Sequence, residues 1–479
     1  MVTTDDAAPP STSTTDDRAA DVVVIGTGVA GLAAAVAASE GAADARVVVL
    51  EAATEEEAGG NSRWTSAYLR VQDPEATAPG FVDDVLDFSD GRSPRDHVER
   101  LDAEIPGALA WAQQLGARFQ TAMTHYLSSN RPRWQPVGGG AGLRSSLLAA
   151  ALERGVEVRY GTRATALRRD ADGRVTGVDA EGPNGLAGLD AAAVVVASGG
   201  FEGSADMMAA EVGDRAHLIR QISPGGEANT GEGIAMALAA GAGRAGEWSS
   251  FHAEPVDARS EAPESVVMLF PYGLLVDAAG RRFMDEGAST VDEAYEHVAR
   301  TVWAQDGGAG YLLLDQRAFS IPDWQRAVPG PLAPVMADTV ADLARALGLD
   351  PQSLGSTVEE VNAATPQGAE ADWDWSTLDG VAATAVSPPK SNWAAPLVAP
   401  PFAAYPLSCA IVFTFGGLAT DLDGRVLDSS SQPVEGLYAA GECTGLYFGK
   451  YPGATSILRG LVFGRLAGAA AAARSRAAR

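Results

Sequence analysis

The chain has 479 residues, of which 46% are hydrophobic, so it can bury a large core divided over roughly two or three domains. Its 62 acidic against 35 basic residues give a formal net charge of -27, which repels nucleic acid backbones and anionic lipid surfaces. Solubility is the simplest explanation of this charge. Cys409 and Cys443 are too few for a disulfide framework and lack metal-ligand spacing, so we expect a cytoplasmic protein without a metal site.

The N-terminal segment, residues 1–19, lacks the basic and apolar regions of a signal peptide, so we expect a disordered tail. The uncharged run 22–39 is long enough to resemble a membrane span. However, three regularly spaced glycines divide it into strand, turn and helix. We therefore expect no stable membrane insertion.

A glycine-rich turn stands between a predicted strand and a predicted helix. The segment "DVVVIGTGVAGLAAAVAASEG" followed by "ARVVVLEA" predicts one βαβ unit, and hence a parallel sheet. Gly26, Gly28 and Gly31 let the backbone approach a pyrophosphate at the positive end of a helix. Glu51 ends the second strand, where a ribose hydroxyl needs an acceptor. These features predict a dinucleotide cofactor but do not separate FAD from NAD.

Two later glycine segments favour FAD, the longer cofactor. "EAGGNSRWTSAYLR" is a second glycine turn, with Asn61, Ser62 and Ser66 as hydrogen-bonding groups. "GLYAAGECTG" places Glu442 just after a strand and a glycine, where a carboxylate can accept from a ribityl or ribose hydroxyl. Taken singly, each segment is more often an ordinary loop. Together with the first turn, they predict three contacts along an extended FAD.

The remaining pattern divides the chain into a cofactor domain and an insertion. Strand segments around an Asp-Gly turn at 172–173 predict an antiparallel meander, and "TVADLARALGLD" and "SLGSTVEEVNAA" predict helices. We predict an α/β fold, in which a Rossmann-like FAD-binding domain of parallel sheet and meander carries an inserted α+β substrate or capping domain. The predicted boundaries are a tail over 1–19, FAD-binding parts over 20–246 and 388–479, and an insertion over 247–387.

Several motifs carry a resemblance to a known family. They are "GTGVAGLAAA", "GGNS", "ASGGF", "NTGEGIAMALAAGA", "GRRFMDE", "FTFGGLATD", "GLYAAGE" and "LVFGRLAG". From about residue 20 to its end, the chain resembles the flavoproteins of fumarate reductase and succinate dehydrogenase. "PPKSNWAAPL" and "GKYPGATSILRGLVFGRLAG" are most similar to tricarballylate dehydrogenase and its relatives, and 3-ketosteroid Δ1-dehydrogenases are more distantly similar. The resemblance implies an FAD enzyme that removes two hydrogens from adjacent carbons beside a carboxylate or ketone, or adds them.

The motifs and the resemblance together imply the cofactor contacts. "GGNSRWT" contains no histidine or cysteine, whereas relatives in membrane complexes attach FAD through a histidine in this segment, so we expect non-covalent FAD. The resemblance also implies that the helix starting near Ser456 points its amides at the flavin, where they stabilise its reduced anion. The expected cofactor-binding residues are Gly26, Gly28, Ala30, Gly31, Glu51, Ala52, Gly60, Asn61, Ser62, Ser66, Ser198, Gly199, Gly200, Glu442, Ser456, Ile457 and Leu458.

Three positions depart from the fumarate reductases. Thr290 stands where those enzymes carry the arginine that delivers a proton to the substrate. Phe413 replaces a histidine that holds a substrate carboxylate, and Tyr451 lies near the position of a second carboxylate-binding arginine. A buried dicarboxylate without paired cations is strongly disfavoured by desolvation. The resemblance therefore implies a substrate less charged than fumarate.

Three side chains are candidates for catalysis. Tyr451 stands where the ketosteroid dehydrogenases have a tyrosine that polarises the substrate carbonyl with a backbone N–H, here of Gly453 or Ala454. Its alternative is a packed aromatic residue beside the Pro-Gly turn. His252 matches a familial histidine that holds a carboxylate or carbonyl, or moves a proton, and its alternative is structural. Tyr405 is the weaker candidate, since a core tyrosine with a satisfied hydroxyl is more frequent.

The substrate site is expected to include Phe413 and Arg459. Arg459 serves a substrate carboxylate if it faces the flavin, but the interpretation that we favour is an ion pair at the surface or between domains. Lys450 has a stronger surface preference. Arg131 and Arg133 in "RPRW" are further candidates for an anionic substrate, although a charged loop is usually solvated.

We predict an FAD-dependent dehydrogenase that desaturates a Cα–Cβ bond beside a ketone or carboxylate of a small substrate. A base removes the α-proton and flavin N5 takes the β-hydride, but the sequence does not name the base. The first alternative is an FAD-dependent ene-reductase of the fumarate-reductase type that acts on a different substrate. The second is a flavin-binding electron carrier, which predicts no closed pocket. The expected partners are a small-molecule substrate and an electron acceptor whose identity stays open.

Overall fold

The computed structural model describes residues 19–41, 44–122, 133–183 and 185–478. Residues 1–18 of the predicted tail lie outside the described residues, as does Arg131, and the first strand begins at Ala19. The strands are β1 Ala19–Ile25, β2 Val47–Leu50, β3 Val71–Asp73, β4 Ala76–Thr77, β5 Phe119–Ala122, β6 Arg133–Pro136, β7 Glu157–Arg159, β8 Arg163–Arg169, β9 Val175–Gly182, β10 Gly185–Val196, β11 Arg220–Gln221, β12 Arg244–Ala245, β13 Phe251–Asp257, β14 Leu274–Val276, β15 Ala309–Leu314, β16 Val335–Ala337, β17 Phe402–Thr414, β18 Gly417–Leu418, β19 Arg425–Leu427 and β20 Pro433–Ala439. The helices are α1 Val29–Gly41, α2 Gly60–Trp64, α3 Phe81–Phe88, α4 Arg95–Gln114, α5 Gly139–Glu153, α6 Ala205–Glu211, α7 Pro224–Glu227, α8 Glu232–Ala239, α9 Val291–Ala304, α10 Val340–Leu347, α11 Pro351–Ala364, α12 Ala369–Asp372 and α13 Ser456–Ala478.

The first sheet has the order β19-β20-β10-β1-β2-β7, and its strands are parallel from β20 to β7. β8, β9 and β10 form the antiparallel meander that the sequence predicts. Val22, Val23 and Val24 in β1 are fully buried, because helices and loops cover both faces of the strand. Burial on both faces explains why the sequence of β1 is continuously apolar and does not alternate between apolar and polar residues. The predicted α/β class is confirmed.

A second sheet has the strand order β11-β17-β15-β14, and β13 and β16 also pair with β17. The pairing of β13 with β17 places His252 opposite Phe413. The strands of this sheet come from residues 220–414, and therefore from both sides of the predicted insertion over 247–387. Those boundaries stay a prediction.

The last helix, α13, packs closely along α1. A Cβ atom at Gly464 would lie 2.4 Å from the carbonyl oxygen of Ala30, and one at Gly468 would lie 2.1 Å from that of Ala34. The spacing of four residues puts both glycines on the same face of α13, where they let the two backbones approach. The segment 456–477 is long and apolar enough to cross a membrane, and 67% of its most apolar window is buried against the rest of the protein.

Candidate functional site

Two cavities adjoin each other in the described part of the protein. The larger, which we call the cofactor cavity, has a volume of about 1250 Å³ and lies at the carboxyl ends of β1, β2 and β10. Ligands bind at this edge of open α/β sheets. The smaller, which we call the side cavity, has a volume of about 440 Å³. Eight residues, the boundary residues, line both cavities: Thr65, Tyr68, Glu254, Met268, Val412, Phe413, Ser456 and Ile457.

The first glycine turn opens into the cofactor cavity. Gly26 has a φ of 106°, a conformation that favours glycine, and Gly28 lines the cavity where α1 begins. Gly31 does not line the cavity. A Cβ atom there would lie 2.1 Å from the carbonyl oxygen of Gly26, so this glycine allows the helix to pack on the turn. The third glycine therefore acts on the cofactor site through backbone packing.

The carboxylate of Glu51 is held at the end of β2. Its Oε2 accepts hydrogen bonds from the amide and the hydroxyl of Thr27, and the amide distance is 3.0 Å. Its Oε1 accepts from the amide of Ala53 at 2.9 Å. Glu51 and Ala52 both line the cofactor cavity. The side chain is thus oriented where the sequence predicts a ribose acceptor, with acceptor capacity left on Oε1.

The structure brings most of the predicted cofactor residues together. All of them line the cofactor cavity except Gly31, Gly200 and Leu458. A Cβ atom at Gly200 would lie 2.1 Å from Glu442 Oε1, so this glycine gives space to a carboxylate that does line the cavity. The Leu458 side chain is fully buried in the core. Gly200 and Leu458 therefore do not line the cavity but pack against residues that do.

A buried carboxyl pair, Glu202 and Glu442, stands at the cofactor cavity, and sequence reasoning missed Glu202. Glu202 Oε1 accepts from the amides of Asn61 at 2.8 Å and Asn229 at 2.6 Å. Glu442 accepts from the backbone amide of Thr414 at 3.1 Å. Burial, and then the neighbouring Glu442, raise the pKa of Glu202 well above its usual value, and burial raises the pKa of Glu442. Because two buried carboxylates repel each other, the pair favours a state in which it holds one proton.

Arg459 is buried, so the interpretation as a surface ion pair is wrong. Its side chain is 2% exposed and lines the cofactor cavity. The guanidinium lies 4.5 Å from the ring centre of Tyr447, and its Nη1 donates a long hydrogen bond of 3.4 Å to the Thr444 carbonyl. Within the described part of the chain, its Nε has no hydrogen-bond partner. The positive charge also lowers the pKa of Glu442 against the effect of burial. Arg459 therefore presents a buried cation to whatever fills the cavity.

The hydroxyl of Tyr451 is engaged by the protein itself. It accepts hydrogen bonds from the backbone amides of Thr455 at 2.9 Å and Ser456 at 2.8 Å, and it lies 3.0 Å from Ser456 Oγ. It thereby caps the first turn of α13. The ring lines the side cavity. This arrangement fits the structural alternative for Tyr451 better than the polarisation of a substrate carbonyl.

Tyr451→Phe should therefore lower stability more than it lowers the rate of chemistry. The substitution leaves two amides at the start of α13 without their acceptor, which costs about 1–3 kcal/mol of unfolding free energy. Chemical denaturation measures this loss. Tyr405→Phe is the matched control and should leave stability near that of the wild type. Wild-type stability in Tyr451→Phe, together with a large loss of rate, would show that the hydroxyl acts on substrate.

His252 belongs to a buried polar cluster beside the side cavity. Its Nδ1 lies 2.9 Å from Glu296 Oε2, and since a carboxylate accepts, this nitrogen donates. Glu296 also accepts from the Tyr451 amide at 3.2 Å and from Arg300 Nε at 3.2 Å. Burial lowers the pKa of His252, although Glu296 opposes the effect. The His252 ring packs on Tyr451 at 4.4 Å between centroids. The lowered pKa therefore favours a neutral His252 imidazole, and the hydrogen bond to Glu296 fixes its orientation.

Of the remaining candidates, Gly453 and Ala454 line the side cavity and Tyr405 does not. Tyr405 is 3% exposed in an apolar cluster of the second sheet, so the structure places it outside both cavities. Sequence reasoning missed Tyr295, whose hydroxyl would lie 3.9 Å from a Cβ atom at Gly453. Burial raises the pKa of Tyr295 well above its usual value. Tyr295 is therefore a hydrogen-bond donor at the wall of the side cavity.

Both arginines that line the side cavity are paired with carboxylates. Arg133 Nη2 lies 3.1 Å from Asp292 Oδ2, and Arg70 pairs with Asp84. The side chains of Arg133 and Asp292 are only 11% and 8% exposed. An incoming dicarboxylate would have to compete with these two aspartates for the arginines.

The side cavity is lined by His252 and Tyr451, and such a pocket counts against the alternative of an electron carrier without a substrate.

The cofactor cavity fits FAD. The first turns of α1 and α13 both face it, and the amides of Ile457 and Leu458 have no acceptor among the described residues. A Cβ atom at Gly28 would lie 3.3 Å from Ser62 Oγ and would occupy the space between the glycine turn and α2. These donors and this gap suit the pyrophosphate and the electron-rich ring of a flavin dinucleotide.

Comparisons with known proteins agree with this geometry. The profile of the FAD binding domain family matches residues 21–458. The chain is similar to a 4-oxocyclohexanecarboxylate 2-dehydrogenase from Sinomonas cyclohexanicum, with 28% identity over 439 residues that cover 83% of this chain and 70% of that protein. It is similar to the open conformation of a flavocytochrome c3 fumarate reductase, with a TM-score of 0.78, 25% identity, and coverage of 96% of this chain and 79% of that one. It is also similar to a 3-ketosteroid-Δ4-(5α)-dehydrogenase from Rhodococcus jostii RHA1 in complex with 4-androstene-3,17-dione, with a TM-score of 0.72, 25% identity, and coverage of 96% and 99%.

Proposed function

Since the chain belongs to the FAD binding domain family and is an FAD-dependent oxidoreductase, we propose that it is a dehydrogenase that forms a C=C bond beside a ketone or carboxylate. The supporting observation is the side cavity, which meets the cofactor cavity at the boundary residues. A substrate held there lies next to the cofactor. When bound, FAD supplies the acceptor for the hydride that leaves the β-carbon.

The protein holds FAD along the residues that line the cofactor cavity. The glycine turn at Gly26 and Gly28 receives the pyrophosphate, and Glu51 accepts from the ribose. The free amides of Ile457 and Leu458 favour negative charge on the reduced ring. FAD is held non-covalently, because residues 57–66 beside the cavity contain no histidine or cysteine.

The charges of the side cavity favour a ketone over a dicarboxylate. Arg70 and Arg133 each already pair with an aspartate, so a second pair of carboxylates would enter without compensation. Tyr295 and Gly453 both line the side cavity, and their hydroxyl and amide are the donors that we assign to a substrate carbonyl oxygen. Each aligned donor stabilises developing enolate charge by about 3 kcal/mol in comparable oxyanion sites. The substrate is a small carbonyl compound, and the protein works in the cytoplasm with a separate electron acceptor.

Anaerobic titration of the oxidised holoenzyme tests the proposal. We expect 4-oxocyclohexanecarboxylate or 4-androstene-3,17-dione to bleach the flavin absorbance, because each has a CH–CH bond beside a ketone. Fumarate should leave dithionite-reduced flavin unchanged. The alternative, an ene-reductase, predicts the opposite: neither probe bleaches the oxidised flavin, and an α,β-unsaturated ketone such as 4-androstene-3,17-dione re-oxidises the reduced flavin. That second result would overturn the proposed direction.

A further inference from the structure

Glu254 stands where the two cavities meet. Of the eight boundary residues, it is the only one with a carboxyl group. The others are apolar, hydroxyl or phenol side chains, which do not accept a proton near neutral pH. A base that removes a proton from a substrate beside the cofactor has to reach both cavities. Position alone therefore distinguishes Glu254 from every other carboxyl in the described part of the chain.

The carboxylate of Glu254 is also free to act. Among the described residues no hydrogen bond to its oxygens is formed, and His252 Nε2 lies 3.8 Å from Oε1. Of the other candidates, His252 lines the side cavity but not the cofactor cavity, and the Tyr451 hydroxyl caps α13. Tyr295 keeps its proton, since burial raises its pKa. Glu254 is left as the acceptor at this point of the site.

We propose that Glu254 is the catalytic base that removes the α-proton of the substrate, a role that rests on the proposed dehydrogenase function. The Cα–H bond breaks, and the proton forms an O–H bond with a Glu254 oxygen. The electron pair left on Cα forms the new C=C bond as the hydride of Cβ leaves to the oxidised cofactor. The substrate is oxidised by two electrons, and the cofactor is reduced by two. His252 Nε2 lies 3.8 Å from Glu254 Oε1.

The surroundings of Glu254 tune it for this step. Burial raises its pKa to about 8, with contributions from the negative charges of Glu264 and Glu296, while Arg133 lowers it. A base is most effective when its pKa lies near the working pH. The titratable groups that act on Glu254 or lie close to it are His252, Glu264, Glu296, Arg133, Tyr68 and Tyr295. Because the ionised form is the base, the rate of flavin reduction should rise as the pH rises through about 8.

Stopped-flow reduction of the holoenzyme tests this role, with 4-oxocyclohexanecarboxylate and 4-androstene-3,17-dione as probes. We expect Glu254→Gln to slow flavin reduction by about 100-fold or more and to lose the rise in rate around pH 8. Glu254→Asp should recover part of the rate, because it keeps the carboxyl. Glu261→Gln removes an equal charge from an exposed carboxylate outside both cavities and should reduce flavin as the wild type does.

Two further measurements separate the possible failures. Deuterium exchange at the α-carbon of the probe in D₂O reports proton removal directly, and it should disappear in Glu254→Gln. Thermal melting and FAD content show that this variant folds. Exchange and flavin reduction at wild-type rates in a folded Glu254→Gln protein would overturn the role of Glu254 alone. A wild-type enzyme that neither probe reduces would overturn the proposed dehydrogenase function and this role with it.

Discussion

Gly464→Val should prevent the chain from forming a stable FAD-binding protein. The new Cβ would lie 2.4 Å from the carbonyl oxygen of Ala30 and 3.1 Å from its carbonyl carbon, and both are backbone atoms that side-chain rotation cannot move. We expect a loss of about 3 kcal/mol or more in unfolding free energy. Because Ala30 also lines the cofactor cavity, bound FAD should be lost with stability. Denaturant unfolding and the flavin absorbance of the purified protein measure both effects.

Gly355→Ala in α11 is the matched control for that substitution. A Cβ atom at Gly355 meets nothing within 4 Å, so the alanine should raise stability by about 0.5–1 kcal/mol through helix propensity. The contrast between the two helices separates the effect of close packing from that of glycine itself. A Gly464→Val protein with wild-type stability and a full complement of FAD would mean that α13 does not pack on α1 in this way.

Arg459→Met should affect both stability and chemistry. Its guanidinium is buried, packs on the Tyr447 ring and donates to the Thr444 carbonyl, and its charge favours the ionised form of Glu442. Loss of these contacts should cost about 1–3 kcal/mol of unfolding free energy. The reduction of the flavin by substrate should slow by roughly 100-fold, because a positive charge at the cofactor cavity is lost. Denaturant unfolding and stopped-flow reduction test the two effects separately.

Arg474→Met on the same helix is the control for Arg459→Met. Arg474 forms a partly exposed ion pair with Glu435, and its loss should cost less than about 1 kcal/mol. Arg459→Lys should restore part of the stability, since it keeps the charge but not the planar group. If Arg459→Met were as stable and as fast as the wild type, Arg459 would have no role at the cofactor cavity.

The sequence predicts the cofactor half of the site well, because its signals are local. Strand, glycine turn and helix follow one another over 20–41, and the pattern alone indicates the parallel sheet and a dinucleotide. Glu51 ends the next strand, and the register of the sheet brings it to the same edge. In each case the residues that meet belong to the same βαβ unit.

The substrate half depends on contacts between distant segments. Glu254, Phe413 and Tyr68 meet at the boundary of the cavities, although they lie far apart in the chain. A lone glutamate in "FHAEP" gives no signal that distinguishes it from a surface carboxylate, and Glu202 after "SGGF" is equally inconspicuous. Burial and neighbouring charge give these groups their raised pKa values, and neither can be read from the residue type.

The sequence by itself determined the α/β class and the helix that begins after "KYPGAT", because backbone propensity and short-range spacing encode them. It also predicted the flavin cofactor, from three glycine segments taken together. Only the tertiary structure decided which contacts the side chains near the start of that helix make. It turned the Tyr451 hydroxyl to the amides of α13, buried Arg459 beside the cofactor, and left Glu254 free at the boundary of the cavities. The physical reason is that hydrogen-bond partners, desolvation and charge compensation depend on which segments pack together, and local sequence does not contain that information.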